Sequence, residues 1–362
     1  MSSFEKKMVV LGWVLNLVRK KPRSIITERE AAMAQSIVII NNKRLGDFLF
    51  CTPAIRALRE KNPSAKITVI TSQQNSDLIG DNPYIDEVLF MGDSFKEAIR
   101  MGKILRTMKP DLGIIFHSKL PYDIIALTVA DTKCILKHYF GNEKKVLIDV
   151  CDAVVIGGEK PPVMNDLELI EKIGITNNNT EMFFPYPLPP KKTESLSVGI
   201  QLGASGKNRF FPEEVAVDMV SEINATYPGC EFHLIGSTQE KSLGESFTQK
   251  INENCKARLT NHIGATSISQ LAEIINNFTV LVTPDTGCLH IATALKTKTV
   301  SLFLIRSPGA SIPQQDNANH HVLYASDYAD FSNIKEGESA LKCIPTREII
   351  DGVLYMMTSG LS

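Results

Sequence analysis

Three short stretches of the chain carry residues whose types and spacing could do chemistry. The first is residues 281–295, LVTPDTGCLHIATAL. Its opening residues are apolar or β-branched and end in a proline, which suits a buried strand running into a turn. Asp285 and Thr286 stand where a helix N-cap belongs, Gly287 follows, and Leu289, Ile291, Ala292, Ala294 and Leu295 cover one helical face. A strand that stops at a small-residue turn and opens a helix leaves backbone N–H groups at the positive end of the helix dipole, which is a seat for a phosphate. The dipole alone contributes about 0.3–1 kcal/mol at an exposed site, so such seats recruit basic side chains as well. The same residues also read as an ordinary cap, and His290, on the first turn, as a packing residue.

The second stretch, GASGKNRFFPEE (203–214), follows the apolar run SVGIQL. Its cations, Lys207 and Arg209, sit on a Gly/Ser loop, where they either neutralise a diphosphate or lie in solvent as a basic turn. It is not a P-loop: Gln201 stands where the first glycine is required, and Asn208 replaces the Ser/Thr. Nor does it match G-x-G-x-x-G, so a nicotinamide or flavin cofactor is poorly supported. The third stretch, NKRLGDFLFCTPAIRAL (42–58), follows the run SIVIIN. Gly46 permits a tight turn, and Asp47 lies between strand and helix. That aspartate is either a helix cap or a carboxylate at the mouth of a cleft, able to take a proton from an acceptor hydroxyl. Arg44 either meets an anionic substrate or lies in solvent. Backbone donors at 284–290 and the cations at 207 and 209 together describe a nucleotide-diphosphate site without a metal. With a carboxylate offered from another domain, that chemistry fits sugar transfer.

The elements that must position these residues follow an α/β rhythm. Strands are expected at 36–41, 66–71, 87–90, 111–116 and 132–136, with helices at 51–61, 95–108 and 165–173, the last stopped by Gly174. After a proline- and asparagine-rich stretch the pattern repeats, with strands at 197–202, 231–236, 279–283 and 299–303 and helices at 212–224, 267–276, 287–295 and 347–357. Short continuous apolar strands separated by helices mean parallel sheets covered on both faces. We therefore expect an N-terminal segment at 1–35, a first Rossmann-like domain at 36–182, a linker at 183–196 and a second Rossmann-like domain at 197–362. Two doubly wound domains would face a cleft, with ligands outside the carboxyl ends of their strands.

Composition sets limits on this picture. The 362 residues are enough for two cores, and a net charge of −1 gives no support for a nucleic-acid partner. Seven scattered cysteines with no C-x-x-C pair read as reduced packing thiols rather than a zinc site. The run at 8–18, MVVLGWVLNLV, is too short to span a bilayer and is flanked by Lys6, Lys7, Arg19, Lys20, Lys21 and Arg23. Basic residues directly after the run argue against a signal peptide. The segment either lies on an anionic membrane surface or packs on the protein's own body.

The combination of RLGDFLFCTPAIRALR, the basic–x–aromatic–Pro–x–Glu loop at 209–214 and PDTGCLHIATAL resembles glycosyltransferase family 9, the heptosyltransferases of lipopolysaccharide core assembly. The resemblance covers roughly residues 36–357. It implies a GT-B fold and inverting, metal-independent transfer of heptose from ADP-heptose, a substrate rather than a cofactor. It places the catalytic base on Asp47, within the motif that includes Arg44 and Gly46. The donor-diphosphate cation falls on Arg209 or the neighbouring Lys207, and the D-[ST]-G-x-x-H donor motif on Asp285, Thr286, Gly287 and His290. Two departures stand out: Phe211 replaces the usual Trp, and Arg209 takes the family's lysine position. The RLGD form favours a later transfer step. The implied acceptor is a lipid-linked core glycan on the cytoplasmic face of the inner membrane, where the protein would be peripheral. The alternatives are transfer from a UDP- or GDP-hexose, a nucleotide-sugar epimerase or hydrolase, and a non-catalytic nucleotide-sugar binder.

Overall fold

A computed structural model describes residues 3–19, 26–79, 82–141, 143–185, 188–191, 195–331, 334–335 and 337–359. The chain forms two compact units, Met1–Tyr186 with Pro308–Ala310, and Pro187–Ser307 with Ser311–Ser362. The first holds strands β1 (Ser36–Asn41), β2 (Lys66–Thr71), β3 (Glu87–Phe90), β4 (Leu112–His117), β5 (Cys134–Tyr139) and β6 (Ala153–Ile156), in the order β3-β2-β1-β4-β5-β6. The second holds β7 (Ser197–Gln201), β8 (Glu231–Ile235), β9 (Leu259–Asn261), β10 (Val280–Pro284), β11 (Thr299–Phe303) and β12 (His320–Tyr324), in the order β12-β11-β10-β7-β8-β9. Read from the other edge, the second order repeats the first. In both sheets the paired strands run parallel.

The central strands are buried along almost their whole length, which is why SIVIIN, LGIIFH, SVGIQ and VLVTP read as apolar runs with little alternation. Local chemistry places the helix ends. Ser94 accepts the Glu97 N–H at 3.2 Å to start Phe95–Met108, and Ser267 with Gln270 forms a capping box for Ile268–Asn277. Past Glu171, the end of helix Pro162–Glu171, Gly174 adopts φ 76°, a left-handed conformation favouring glycine.

Three expectations change. The strand placed at 132–136 runs Cys134–Tyr139, because Lys137 and His138 lie inside the core and interrupt the apolar pattern. The helix placed at 165–173 begins at Pro162, a residue that tolerates the first turn because its N–H would be unpaired there. Strands β6, β9 and β12 are not among those expected: β6, AVVI, and β9, LTN, are only four and three residues long, and β12 opens on two histidines. Of the linker at 183–196, residues 186, 187 and 192–194 lie outside the described residues.

The N-terminal run is a helix, Ser3–Arg19, and one face of it packs on the first unit. Met8 and Leu15 join the core beneath, Asn16 Nδ2 donates to the Val146 carbonyl at 3.1 Å, and Arg19 pairs with Asp152. Lys20, Lys21 and Arg23 lie outside the described residues. All seven cysteines are free, and burial pushes the thiols of Cys151, Cys230 and Cys288 up to about 12, so they behave as packing groups.

Lys137 and Asp123 form a buried ion pair at 2.8 Å, with the second Asp123 oxygen taking the Ile124 N–H at 2.8 Å. Removing one partner leaves the other charge buried and alone. Lys137→Met should therefore lower stability by about 3–5 kcal/mol, and adding Asp123→Leu should recover most of it; urea unfolding checks both.

Candidate functional site

In each sheet the chain order reverses at one point: between β1 and β4 in the first unit, and between β7 and β10 in the second. Connections leave these adjacent strands towards opposite sides, which opens a crevice outside their carboxyl ends.

In the second unit β7 ends at Gln201 and β10 at Pro284. The buried Gln201 Oε1 accepts from the hydroxyls of Thr286 at 2.6 Å and Thr283 at 2.9 Å. Thr286 is the N-cap of helix Gly287–Ala294, yet its hydroxyl makes no capping bond. The hydroxyl is held by Gln201, so it does not occupy the first N–H groups of that helix. Asp285 lies alongside. One carboxylate oxygen accepts from Ser311 Oγ at 2.8 Å and has His290 Nε2 at 3.9 Å, and the other lies 3.5 Å from Arg209 Nη1. Arg209 also donates to Ser205, which ties the cation to its own loop. Lys207, two residues earlier, is exposed. The fold thus gathers Arg209, Asp285, Thr286, Gly287 and His290 at one strand end, with Lys207 on the rim. Phe211 is fully buried and packs in the core of this unit.

Sequence reasoning missed Glu240. It follows β8 and accepts the Ser237 N–H, and its carboxylate lies against two glycines at the ends of β7 and β8. A Cβ on Gly203 would collide with Glu240 Oε1, and one on Gly236 would fall 2.6 Å from Oε2. A carboxylate after the second strand of a Rossmann half is a known partner for ribose hydroxyls, and that signal was present in the sequence.

In the first unit a cavity of about 730 Å³ opens at the carboxyl ends of β1 to β4, lined among others by Lys43, Arg44, Asp47, Asp93 and Lys119. The expected loop before residue 51 is instead a helix, Leu45–Phe50, followed directly by Thr52–Lys61. Pro53 explains the break: it has no N–H to give the Leu49 carbonyl, and Thr52 Oγ1 donates there instead, at 2.8 Å. Asp47 therefore stands on the first helical turn, where Oδ2 accepts the Arg44 N–H at 3.1 Å. Asn41 Nδ2 holds the Asp47 carbonyl at 2.7 Å, and Gly46 is buried beside it. Oδ1 carries no hydrogen bond among the described residues. Arg44 is exposed at the cavity, and Lys119 is paired with Asp93 at 2.6 Å.

Beneath this lies a second group, His117, His138 and Asp166, of which the sequence points only to His117 at its strand end. The β1–β4 register shifts between Ile40 and Asn41, an irregularity that brings His117 opposite Asn41. Asp166 is fully buried, with His138 Nε2 at 2.9 Å and His117 Nε2 at 3.6 Å from one of its oxygens. Burial raises its pKa, but the two imidazoles more than offset this and hold the carboxyl below its ordinary range. Among the described residues no group of three His, Cys, Asp or Glu side chains is placed to hold a metal ion.

Comparison with known proteins places this architecture. The family described as Glycosyltransferase family 9 (heptosyltransferase) matches residues 155–340, just over half of the chain; Asp47 lies outside that span. Over 341 residues the chain is 21% identical to Lipopolysaccharide heptosyltransferase 3 of Escherichia coli, covering 88% of this chain and 98% of that one. An 85-residue stretch is 32% identical to Lipooligosaccharide heptosyltransferase 2 of Haemophilus influenzae, and it spans 24% of this chain and 25% of that one. In three dimensions the chain is similar to E. coli ADP-heptose lps heptosyltransferase II, with a TM-score of 0.72 at 18% identity, over 90% of this chain and 100% of that one. The fold is GT-B.

The Gln201 carboxamide is the shared acceptor for two hydroxyls at the mouth of β7 and β10. Gln201→Leu removes that acceptor and leaves the hydroxyls only each other, at 3.1 Å, and the Pro284 carbonyl, at 2.9 Å from Thr283 Oγ1; stability should fall by about 0.5–1.5 kcal/mol, seen as a lower thermal unfolding midpoint.

Proposed function

The chain belongs to glycosyltransferase family 9, and from that premise we propose that it transfers heptose from ADP-heptose to an inner-core sugar of lipopolysaccharide, with inversion and without a metal. The observation that carries this reading is the Arg209 guanidinium held beside Asp285 at the open N-terminus of helix Gly287–Ala294. A cation and unoccupied backbone donors at a Rossmann switch point suit a nucleoside diphosphate. The names of the relatives support heptose and ADP as the donor's parts.

In this reading each unit supplies one half of the chemistry. Asp47 Oδ1 accepts the proton of an acceptor hydroxyl as its oxygen bonds to the anomeric carbon, on the face opposite the nucleotide. The bond from that carbon to the diphosphate oxygen breaks in the same step, and its electron pair stays on the diphosphate. Arg209 and the N–H groups at Gly287 meet negative charge that grows as the bond breaks, so they contribute most in the transition state. Glu240 accepts from ribose hydroxyls, and Thr286, held by Gln201, orients the first helical turn. Arg44 faces the acceptor side, and Lys207 adds long-range positive charge on the donor side. No resident cofactor is required. The acceptor is lipid-linked, so the protein works as a peripheral enzyme on the cytoplasmic face of the inner membrane; among the described residues no helix is long and apolar enough to cross it.

The test is ADP release from ADP-heptose in the presence of core-truncated lipopolysaccharide. Release should depend on the acceptor and persist in EDTA. Asp47→Ala should lower kcat by about 10²–10⁴ while leaving ADP affinity unchanged. Arg209→Ala should weaken ADP binding by about ten- to a hundredfold, the loss of a charge-assisted hydrogen bond. ADP binding without release would redirect the search to another ADP-sugar or acceptor. Absence of ADP binding, with UDP or GDP bound instead, would overturn the heptose donor.

A further inference from the structure

Among the described residues, nothing covers one apolar stripe on the first unit. Helix Ser3–Arg19 turns Met8, Gly12 and Leu15 inward and leaves a second stripe facing out: Val10, Trp13, Val14, Leu17 and Val18, 49–74% exposed. Their spacing of three and one residues keeps them on a single face. The helix cannot roll to bury them. Asn16 bonds the Val146 carbonyl, Glu5 pairs with Lys144 at 2.7 Å at one end, and Arg19 pairs with Asp152 at the other. A side chain at Gly12 would come within 2.8 Å of Val146, so the contact with the body depends on that glycine.

We propose that this outward stripe seats the protein on an anionic lipid surface. The argument is charge complementarity around an apolar centre. Lys6 and Lys7 are exposed and, by helical phase, continue the stripe at its N-terminal end. At the other end the sequence runs Lys20, Lys21, Arg23, with no acidic residue before Glu28. Glu5, the acid of the first turn, is already neutralised by Lys144. Apolar side chains centred on a tryptophan and bounded by cations are the chemistry of a helix lying in the headgroup layer. A second copy of the chain is the poorer occupant: parallel pairing sets Lys6 and Lys7 against their own copies, and the sequence after the helix offers no acid before Glu28 to meet them in an antiparallel pair. The helix is 17 residues long and does not meet the requirement for a span. This deepens the peripheral placement proposed above, and it is tested without nucleotide sugar or glycan, so it can fail while the transferase reading stands.

Trp13 is the chain's single tryptophan, which makes the proposed contact its own reporter. Full-length protein is titrated with vesicles of phosphatidylcholine containing phosphatidylglycerol, and with phosphatidylcholine alone. A blue shift of Trp13 emission with the anionic vesicles, weakened by salt, is expected. Val14→Asp with Leu17→Asp, and separately Lys6→Glu with Lys7→Glu, should each reduce partitioning at least about tenfold. These side chains face outward, so circular dichroism and the melting temperature should stay at their wild-type values and confirm that the variants fold. Unshifted emission with anionic vesicles would overturn the proposal, as would equal binding to phosphatidylcholine alone. A concentration-dependent dimer in sedimentation, abolished by the paired aspartates, would overturn it in favour of a second copy.

Discussion

Everything in this molecule that can react depends on one constraint: a parallel strand buried on both faces has no side chain to spare for solvent. β1, β4, β7 and β10 are enclosed along almost their whole length. Chemistry is therefore confined to where they end, and the ends differ in value. Where neighbouring strands send their connections to opposite sides, the crevice between them stays open. The chain uses that position twice, with the same strand order in both units.

What the chain builds at those ends is polar and closely matched. Gln201 holds two threonine hydroxyls, and Thr52 stands in for the hydrogen bond that Pro53 cannot make. The consequence is that Asp47 sits on a helical first turn and Thr286 at a helix N-cap, each with its neighbouring backbone hydrogen-bonded. The buried His117–Asp166–His138 group underlies the first of these ends and supplies rigid polar packing there.

The sheets were legible because their strands are runs of Ile, Val and Leu between turn residues. Three strands escaped, all at sheet edges: β9 and β12 carry polar residues that exposure tolerates there, and β6, though apolar, is only four residues long. The end of β5 was misplaced because Lys137 reads as surface when its partner, Asp123, is invisible in one dimension. The same limit governed the sites. Motifs contiguous in sequence, such as 285–290, could be read directly. Glu240 and Ser311 join that neighbourhood only through folding, and only Glu240 had a topological signature. Asp47 illustrates the intermediate case, since the segment was recognised but the helix that carries it was taken for a loop.

The pairing of Arg209 with Asp285 has a consequence in rotamer entropy. Both side chains are partly exposed, and an ion pair of that kind contributes only about 0–1 kcal/mol. An unrestrained arginine, by contrast, has about 2 kcal/mol of side-chain freedom to lose on becoming fixed. Asp285 and Ser205 therefore hold the guanidinium close to one orientation at little energetic depth. In the proposed reading, a diphosphate takes over a cation already aimed, and when it departs the aspartate receives the cation back. The contact works as a holster: shallow enough to release, and ordered enough that much of the entropic cost is met before anything binds.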